Sequence, residues 1–365
     1  MPTIAFYAPL KPPTHPTPSG DREIARSVLE ALNTIGQNYD AKLVSDFRTY
    51  DGKGNHGIQL TLIAQAKVEA RKLIALGQEQ NWRLWFTYHN YYKSPDLIGP
   101  IVTKALDIPY ILLEATRAKK RLNGPWSHYA QLAEFACDKA DTILYFTQHD
   151  RQSLVDYKPK GQKIIHLPPF LAQGISTAPK RTKPKSNTLL SVGMLRKGAK
   201  TQSYKLIAKT LTALKTTDWT LKIAGDGPAR PEIEKLFAPF KSRVTFLGQC
   251  TSAELAEQYQ SASVFLWPGV DEAFGMVYLE AQAAGLPVIA QNLPGVCDVI
   301  NPKTMLIPPN MPDKMAHAVD TMLTSTDLWQ RNSHAGTEFI KQNHLFVAAS
   351  KNLSTILSPF IGSRP

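Results

Sequence analysis

Two consecutive doubly wound α/β domains are what this sequence predicts, on three observations. Strand-like and helix-like runs alternate from one end to the other, which implies parallel sheets with crossover helices on both faces. The alternation breaks once, in a stretch rich in Pro, Lys and small residues around 168–187, and then restarts. A chain of 365 residues also exceeds one ordinary core and suits two domains of roughly 150 to 200 residues each. The expected organisation is an N-terminal domain over 1–170, a linker over 171–187, a C-terminal domain over 188–345, and a final helix within 346–365 that packs back on the N-terminal domain.

The elements follow from local pattern. "TIAFYA" (3–8) reads as a buried strand, and a long Pro-rich loop leads from it to a helix whose Ile24, Val28, Leu29, Leu32 and Ile35 share one face. A second helical pattern covers about 59–77. Then come a strand at 83–88, a helix near 95–106, a strand at 109–115, a helix near 127–139, a strand at 142–147, a short helix and a strand at 163–168. After the break, strands at 188–193, 220–225, 243–248, 263–268 and 287–290 alternate with helices at 201–214, 229–238, 252–261 and 275–284, and helices run to the end. In such domains ligands sit beyond the carboxyl ends of the strands, and a cleft between two facing domains is the expected site.

Composition excludes several classes. Hydrophobic residues make up 43% and charged residues 20%, the balance of a globular protein rather than a disordered one. The N-terminus lacks the pattern of a signal peptide and no apolar run approaches the roughly 18 residues that span a bilayer, so a cytoplasmic protein is expected. Cys137, Cys250 and Cys297 are far apart and read as buried thiols, not as a disulfide framework or zinc site. The net charge of +12 divides evenly between the two halves, with no basic helix or RNA-binding aromatic signature, so nucleic acid is not an expected partner. "PKRTKPK" (179–185) reads as solvated linker.

The residues with chemistry cluster at strand ends. After strand 263–268, Asp271 and Glu272 precede a helix that starts near Gly275 and ends near Gly285. A helix N-terminus with a glycine at its start offers free N–H groups and a positive dipole end to a diphosphate. Glu280 lies about 7–8 Å further along that axis, within reach of a ribose diol. "SVGMLRKGAK" (191–200) sets Arg196, Lys197 and Lys200 on a loop with Gly193 and Gly198, a second diphosphate device. "IAGDGPAR" (223–230) ends the next strand in a tight turn at Gly225, and "FLGQC" (246–250) ends a third with Gln249 where backbone groups could meet a nucleobase. No G-x-G-x-x-G follows either first strand, which argues against a nicotinamide dehydrogenase.

In order, "LLSVGML…KG", "LKIAGDGP", "RVTFLGQ" and "LWPGVDEAFGMVYLEAQAAGLPVIA" resemble the C-terminal domain of the retaining, two-Rossmann-domain (GT-B) glycosyltransferase family 4. The family's E-x7-E mark is met by Glu272 and Glu280. The likeness is close over about 186–300 and architectural elsewhere. It implies that Glu272 sits at the donor sugar, that Glu280 holds the ribose, and that the backbone at Phe274, Gly275 and Met276 approaches sugar and phosphates. It also implies an Arg/Lys pair at the leaving diphosphate. Met194 stands where the family usually has that Arg, so Arg196 is its expected substitute, with Lys200 or Lys197 as its partner. In the N-terminal half the likeness implies a glycine at the first helix start, here Gly20 after Ser19, and a His after a middle strand, here His89. His15, at the tip of the Pro-rich loop, and Glu114 and Arg117, after the next strand, are candidate acceptor residues.

The implied activity is transfer of a sugar, with retention of configuration, from a UDP-, GDP- or ADP-sugar to a glycan, lipid-linked or small-molecule acceptor. No metal or other cofactor is expected, since cations and a helix end face the diphosphate and no D-x-D motif is present. Tyr91, Tyr92 and Trp126, read as exposed aromatics, together with the basic charge permit docking at the inner face of an anionic membrane. The alternatives are a nucleotide-sugar epimerase on the same architecture and a non-catalytic nucleotide-sugar-binding partner subunit.

Overall fold

The computed structural model describes residues 3–17, 19–34 and 39–361. The chain forms two compact units, the first from Met1–Gln173 with Phe346–Pro365 and the second from Gly174–Leu345.

The first unit holds, in order, β1 (Thr3–Tyr7), α1 (Gly20–Asn33), β2 (Asp40–Ser45), α2 (His56–Glu79), β3 (Trp82–Asn90), α3 (Gly99–Leu106), β4 (Tyr110–Ala115), α4 (Ser127–Lys139), β5 (Thr142–Tyr145), α5 (Gln148–Asp156) and β6 (Lys163–His166). Its sheet is six-stranded and parallel, in the order β2-β1-β3-β4-β5-β6. The core strands are near-continuous apolar runs buried on both faces, as parallel sheets require; Ile4, Phe6, Leu84, Phe86, Ile111 and Leu113 are fully buried. Because the chain moves from β1 out to β2 and returns to β3 on the other side, the strand order reverses between β1 and β3.

The second unit holds β7 (Asn187–Val192), α6 (Ala199–Thr212), β8 (Trp219–Ala224), α7 (Arg230–Phe237), β9 (Val244–Gly248), α8 (Ser252–Ser261), β10 (Val264–Leu266), α9 (Met276–Ala283), β11 (Val288–Ile289), α10 (Val296–Val299), α11 (Pro312–Thr324) and α12 (Thr326–Asn343). Its parallel sheet runs β11-β10-β7-β8-β9, so the order reverses between β7 and β10. The last helix, α13 (Phe346–Ile361), packs on α1 and β3, with Leu353 and Leu357 fully buried and Phe346 against Phe170. Both sheets are doubly wound, as the alternation predicts.

Three expectations need correcting, and a fourth falls partly outside the described residues. Strand β2 carries no strong signal: it is an edge strand with only Ala41, Leu43 and Val44 apolar, and of its six residues only Ala41 and Ser45 are buried. Helix α1 ends at Asn33, so Ile35, placed on its apolar face, lies outside the described residues. Residues 179–185 are not simply solvated, because Arg181 anchors them. Its guanidinium donates to Tyr259 O and Ala284 O at 3.2 and 2.8 Å and lies 5.5 Å over the Trp329 ring. A cation on the carbonyl ends of α8 and α9 is where helix dipoles favour one. Of the three free thiols only Cys137 is buried, its pKa pushed up to about 12 by burial, whereas Cys297 is exposed.

Candidate active site

In the second unit, loops from β7, β8 and β10 converge at the point where the strand order reverses, the position where open α/β sheets bind ligands. Glycines permit the convergence. A Cβ on Gly225 would lie 2.1 Å from Gly193 O, and one on Gly193 would lie 2.7 Å from the Trp267 ring. The β10 loop is closed by Tyr278, whose hydroxyl donates to Trp267 O at 3.0 Å, and by Ser203, which accepts from Val270 N at 3.0 Å. Gly295 abuts the same loop so closely that a Cβ there would sit 1.7 Å from Ala273 O.

This packing brings Lys200 and Glu272 together. Lys200, at the start of α6, donates to Glu272 Oε1, which also accepts from the indole of Trp267 at 3.0 Å, and the ammonium lies 5.2 Å over that indole ring. The lysine therefore has two negative faces and the carboxylate two donors, in a half-buried setting where charges act more strongly than in water. Arg196 and Lys197 are exposed on the turn that precedes α6. Gly275 takes φ +83° immediately before α9, an arrangement open to glycine and strained for other residues. Phe274 is buried, Met276 half-buried, and the eight-residue α9 begins at Met276.

Glu280 lies on α9 and accepts from the Tyr259 hydroxyl at 2.8 Å. Burial pushes its carboxyl above the ordinary range, and the Tyr259 hydrogen bond opposes that shift. Glu272 and Glu280 thus have separate partners and form no acid/base pair. Gln249 is exposed at the end of β9. Trp267 and Tyr259, partners of the two acids, escaped sequence reasoning because each reads as core; the aromatic residue ending a strand just before the acidic loop was the available signal.

The first unit has its own cluster where its strand order reverses. His89 lies near the carboxyl end of β3, with Nδ1 3.7 Å from Glu114 Oε2 and 3.9 Å from Asp21 Oδ1, both too long for hydrogen bonds. His89 and Glu114 both hold positive φ, +73° and +58°, at the ends of adjacent strands. Such backbone strain concentrates at functional positions. His89 Nδ1 is buried without a hydrogen-bond partner, and the Tyr88 hydroxyl lies beside the Glu114 carboxyl. Burial, then repulsion from Asp21 and Asp150, holds the Glu114 carboxyl well above its ordinary pKa. Burial lowers the His89 pKa, and the same two carboxylates oppose it. Asp21 was not predicted; its position in the first turn after Ser19, the cap of α1, was the signal.

The remaining candidates in this unit are placed less favourably. Arg117 is committed internally: its side chain is 1% exposed and pairs with Glu134 and Asp138, both at 2.7 Å, so its charge does not face an acceptor. His15 accepts from Thr17 N at 3.1 Å within its own loop. Gly20 is exposed, with nothing near the position of a side chain. Tyr91, Tyr92 and Trp126 are half-buried against one another rather than exposed. Among the described residues no group of three or more His, Cys, Asp or Glu side chains is placed to hold a metal ion, and no helix is long and apolar enough to cross a membrane.

Residues 186–325 match the family described as glycosyl transferases group 1. The chain is a glycosyltransferase of the two-Rossmann-domain, GT-B class. It is 25% identical over 284 residues to the alpha-D-kanosaminyltransferase of Streptomyces kanamyceticus, covering 74% of this chain and 73% of that one. Its fold is shared with the sucrose-phosphate synthase of Thermosynechococcus elongatus, at a TM-score of 0.74 and 17% identity over 98% of this chain and 99% of that one. It is shared also with HepE of Anabaena in complex with UDP and glucose, at a TM-score of 0.72 and 14% identity over 98% and 100% of the two chains.

Proposed function

We propose that the protein transfers a sugar, with retention of configuration, from a nucleoside diphosphate sugar to an acceptor hydroxyl. The observation that carries this reading is the Lys200–Glu272 pair seated on Trp267 at the strand-order reversal of the second unit, beside the Gly275 start of α9. An ion pair at that position is a poised device. A bound diphosphate competes for Lys200 and frees Glu272 to accept from the hydroxyls of the donor sugar.

In this reading Lys200, Arg196 and the α9 N-terminus hold the diphosphate, with Lys197 at the rim, and Glu280 takes the ribose diol. The bond from the anomeric carbon to the phosphate oxygen breaks as the bond to the acceptor oxygen forms on the same face. The acceptor proton passes to the leaving phosphate oxygen, and a nucleoside diphosphate is released. Fixed positive charge on that oxygen stabilises the transition state more than the ground state. Within the first unit, His89, whose pKa burial lowers, stands with Glu114 as a hydrogen-bonding group for an acceptor sugar. The match to a group 1 family and the UDP and glucose bound by the fold neighbour support the donor class.

Thermal-shift titration with UDP, GDP and ADP and their sugars tests the reading. One nucleotide at about 100 times its Kd stabilises the protein by about 2.7 kcal/mol. Glu280→Ala weakens that nucleotide by about tenfold to a hundredfold, the loss of a charged hydrogen bond. His89→Ala abolishes transfer and leaves nucleotide affinity intact. If no nucleotide binds, or Glu280→Ala leaves binding unchanged, the reading is wrong.

A further inference from the structure

On the loops after β3 and β4, the first unit gathers a line of half-buried rings that ends in two cations. His89 meets Tyr91 at 4.7 Å between centroids, Tyr91 meets Tyr92 edge-on at 5.5 Å, and Tyr92 meets Trp126 edge-on at 5.6 Å. Arg121 lies 4.9 Å over Tyr92 and 5.7 Å over Trp126, and Lys93 lies 5.7 and 5.5 Å over the same two rings. The neighbouring cations are neutralised, since Arg117 and Lys119 both pair with Glu134. Arg121 and Lys93 pair with no carboxylate among the described residues, and the buried Arg121 Nε has no hydrogen-bond partner.

The line is held in place. Buried Asp96 accepts from Thr87, Tyr110 and the backbone of Ile98 and Gly99, and its own N–H donates to Asn90, which pins both ends of the 90–96 loop. The Trp126 indole donates to Asp51 O at 3.1 Å. Gly54 leaves room for Pro125 and Trp126, which a Cβ there would meet at 2.5 and 3.3 Å. Fixed aromatic surfaces bind without an ordering cost. A guanidinium stacked on rings keeps its N–H edge free to grip a carboxylate, sulfate or phosphate as a fork.

We propose that this line is an acceptor subsite for an anionic oligosaccharide, with the acidic group on Arg121 and Lys93, sugar rings along Trp126, Tyr92 and Tyr91, and the reacting hydroxyl toward His89. The proposal rests on the transferase reading above. The line runs without a gap to His89, and its cations want an anion that the chain does not supply. A bilayer is the poorer fit, because its anchors project apolar side chains into lipid, whereas these rings are pinned edge to face and half-buried.

The test uses the full chain and a panel of di- to tetrasaccharides bearing uronate, sulfate or phosphate groups, with neutral counterparts, and phosphatidylglycerol vesicles as a separate arm. Wild type binds an acidic member at least tenfold tighter than its neutral counterpart. Arg121→Gln combined with Lys93→Gln erases that preference while the nucleotide thermal shift stays as in wild type. Lys93→Gln alone, at a partly exposed side chain whose ammonium lies over the two rings, lowers the preference and guards against a misfolded double variant. No acidic preference in wild type, a preference that survives both substitutions, or vesicle binding without glycan binding overturns the subsite. Loss of the nucleotide shift in wild type would instead count against the donor reading and is scored separately.

Discussion

At the scale of single residues, the second unit makes a sharp claim about one lysine. Lys200 is held by Glu272 and Trp267, whereas Lys197 is exposed on the preceding turn, so the two candidate cations are not equivalent. Lys200→Ala lowers the transfer or donor-hydrolysis rate by about a hundredfold to a thousandfold, the typical cost of removing one fixed group from developing charge. Lys197→Ala costs less than tenfold, and equal losses in the two variants would sink the assignment. In the first unit the sign of a pH effect follows from Glu114. Its folded pKa is raised, so the stability it contributes is full below the ordinary carboxylate pKa and is lost as pH rises through the folded value. Glu114→Gln lacks that loss. Thermal melts from acid to neutral pH therefore show the variant gaining on wild type as pH rises. His89 acts with the opposite sign: its pKa is lowered, so its contribution is present above the ordinary histidine value and falls away with acid.

At the scale of elements, position is set by close approaches that only glycine allows. Gly295 is the clearest case, with φ +81° and the site of a side chain only 1.7 Å from Ala273 O in the loop before α9. Gly295→Ala shifts that loop, costs about 1 to 3 kcal/mol in strain, and weakens the nucleotide by at least tenfold. Ser325 is the control, since it caps α12 by accepting from Leu328 N at 3.2 Å and touches no part of the site. Ser325→Ala costs about 1 kcal/mol and leaves nucleotide affinity within twofold by titration. These elements also show what periodicity can carry. Helix α8 and the strands of both cores are legible because apolar runs and turn residues mark them locally. Strand β2 is not, because an edge strand with one solvated face keeps few apolar residues. Nor is the role of Gly295, since the atom it must avoid lies more than twenty positions away in the chain.

At the scale of the whole molecule, the acids and cations of the site are visible in sequence because chemistry restricts residue type at strand ends. Their pairing is not, because Lys200 meets Glu272 only after the strand order has reversed between β7 and β10. Asp21 meets His89 by the same device between β1 and β3. Arg117 looked like a site residue for the same reason in reverse: the two carboxylates of α4 that consume its charge follow it by a whole loop. The chain's last helix extends this dependence on long-range contacts, because α13 belongs to the first unit although the whole second unit separates them in sequence. Leu353 is fully buried there, so Leu353→Ala removes about 2 to 5 kcal/mol from a unit whose other residues end at Gln173. Hydrogen exchange reads the consequence unit by unit, since local stability need not be uniform across a chain of this size. The variant exchanges faster in α1, β3 and the His89 segment. Peptides spanning 193–200 and 269–280 keep the protection that bound nucleotide confers, and the nucleotide affinity stays within twofold. Faster exchange confined to the second unit would show that α13 stabilises something other than the strands it packs against.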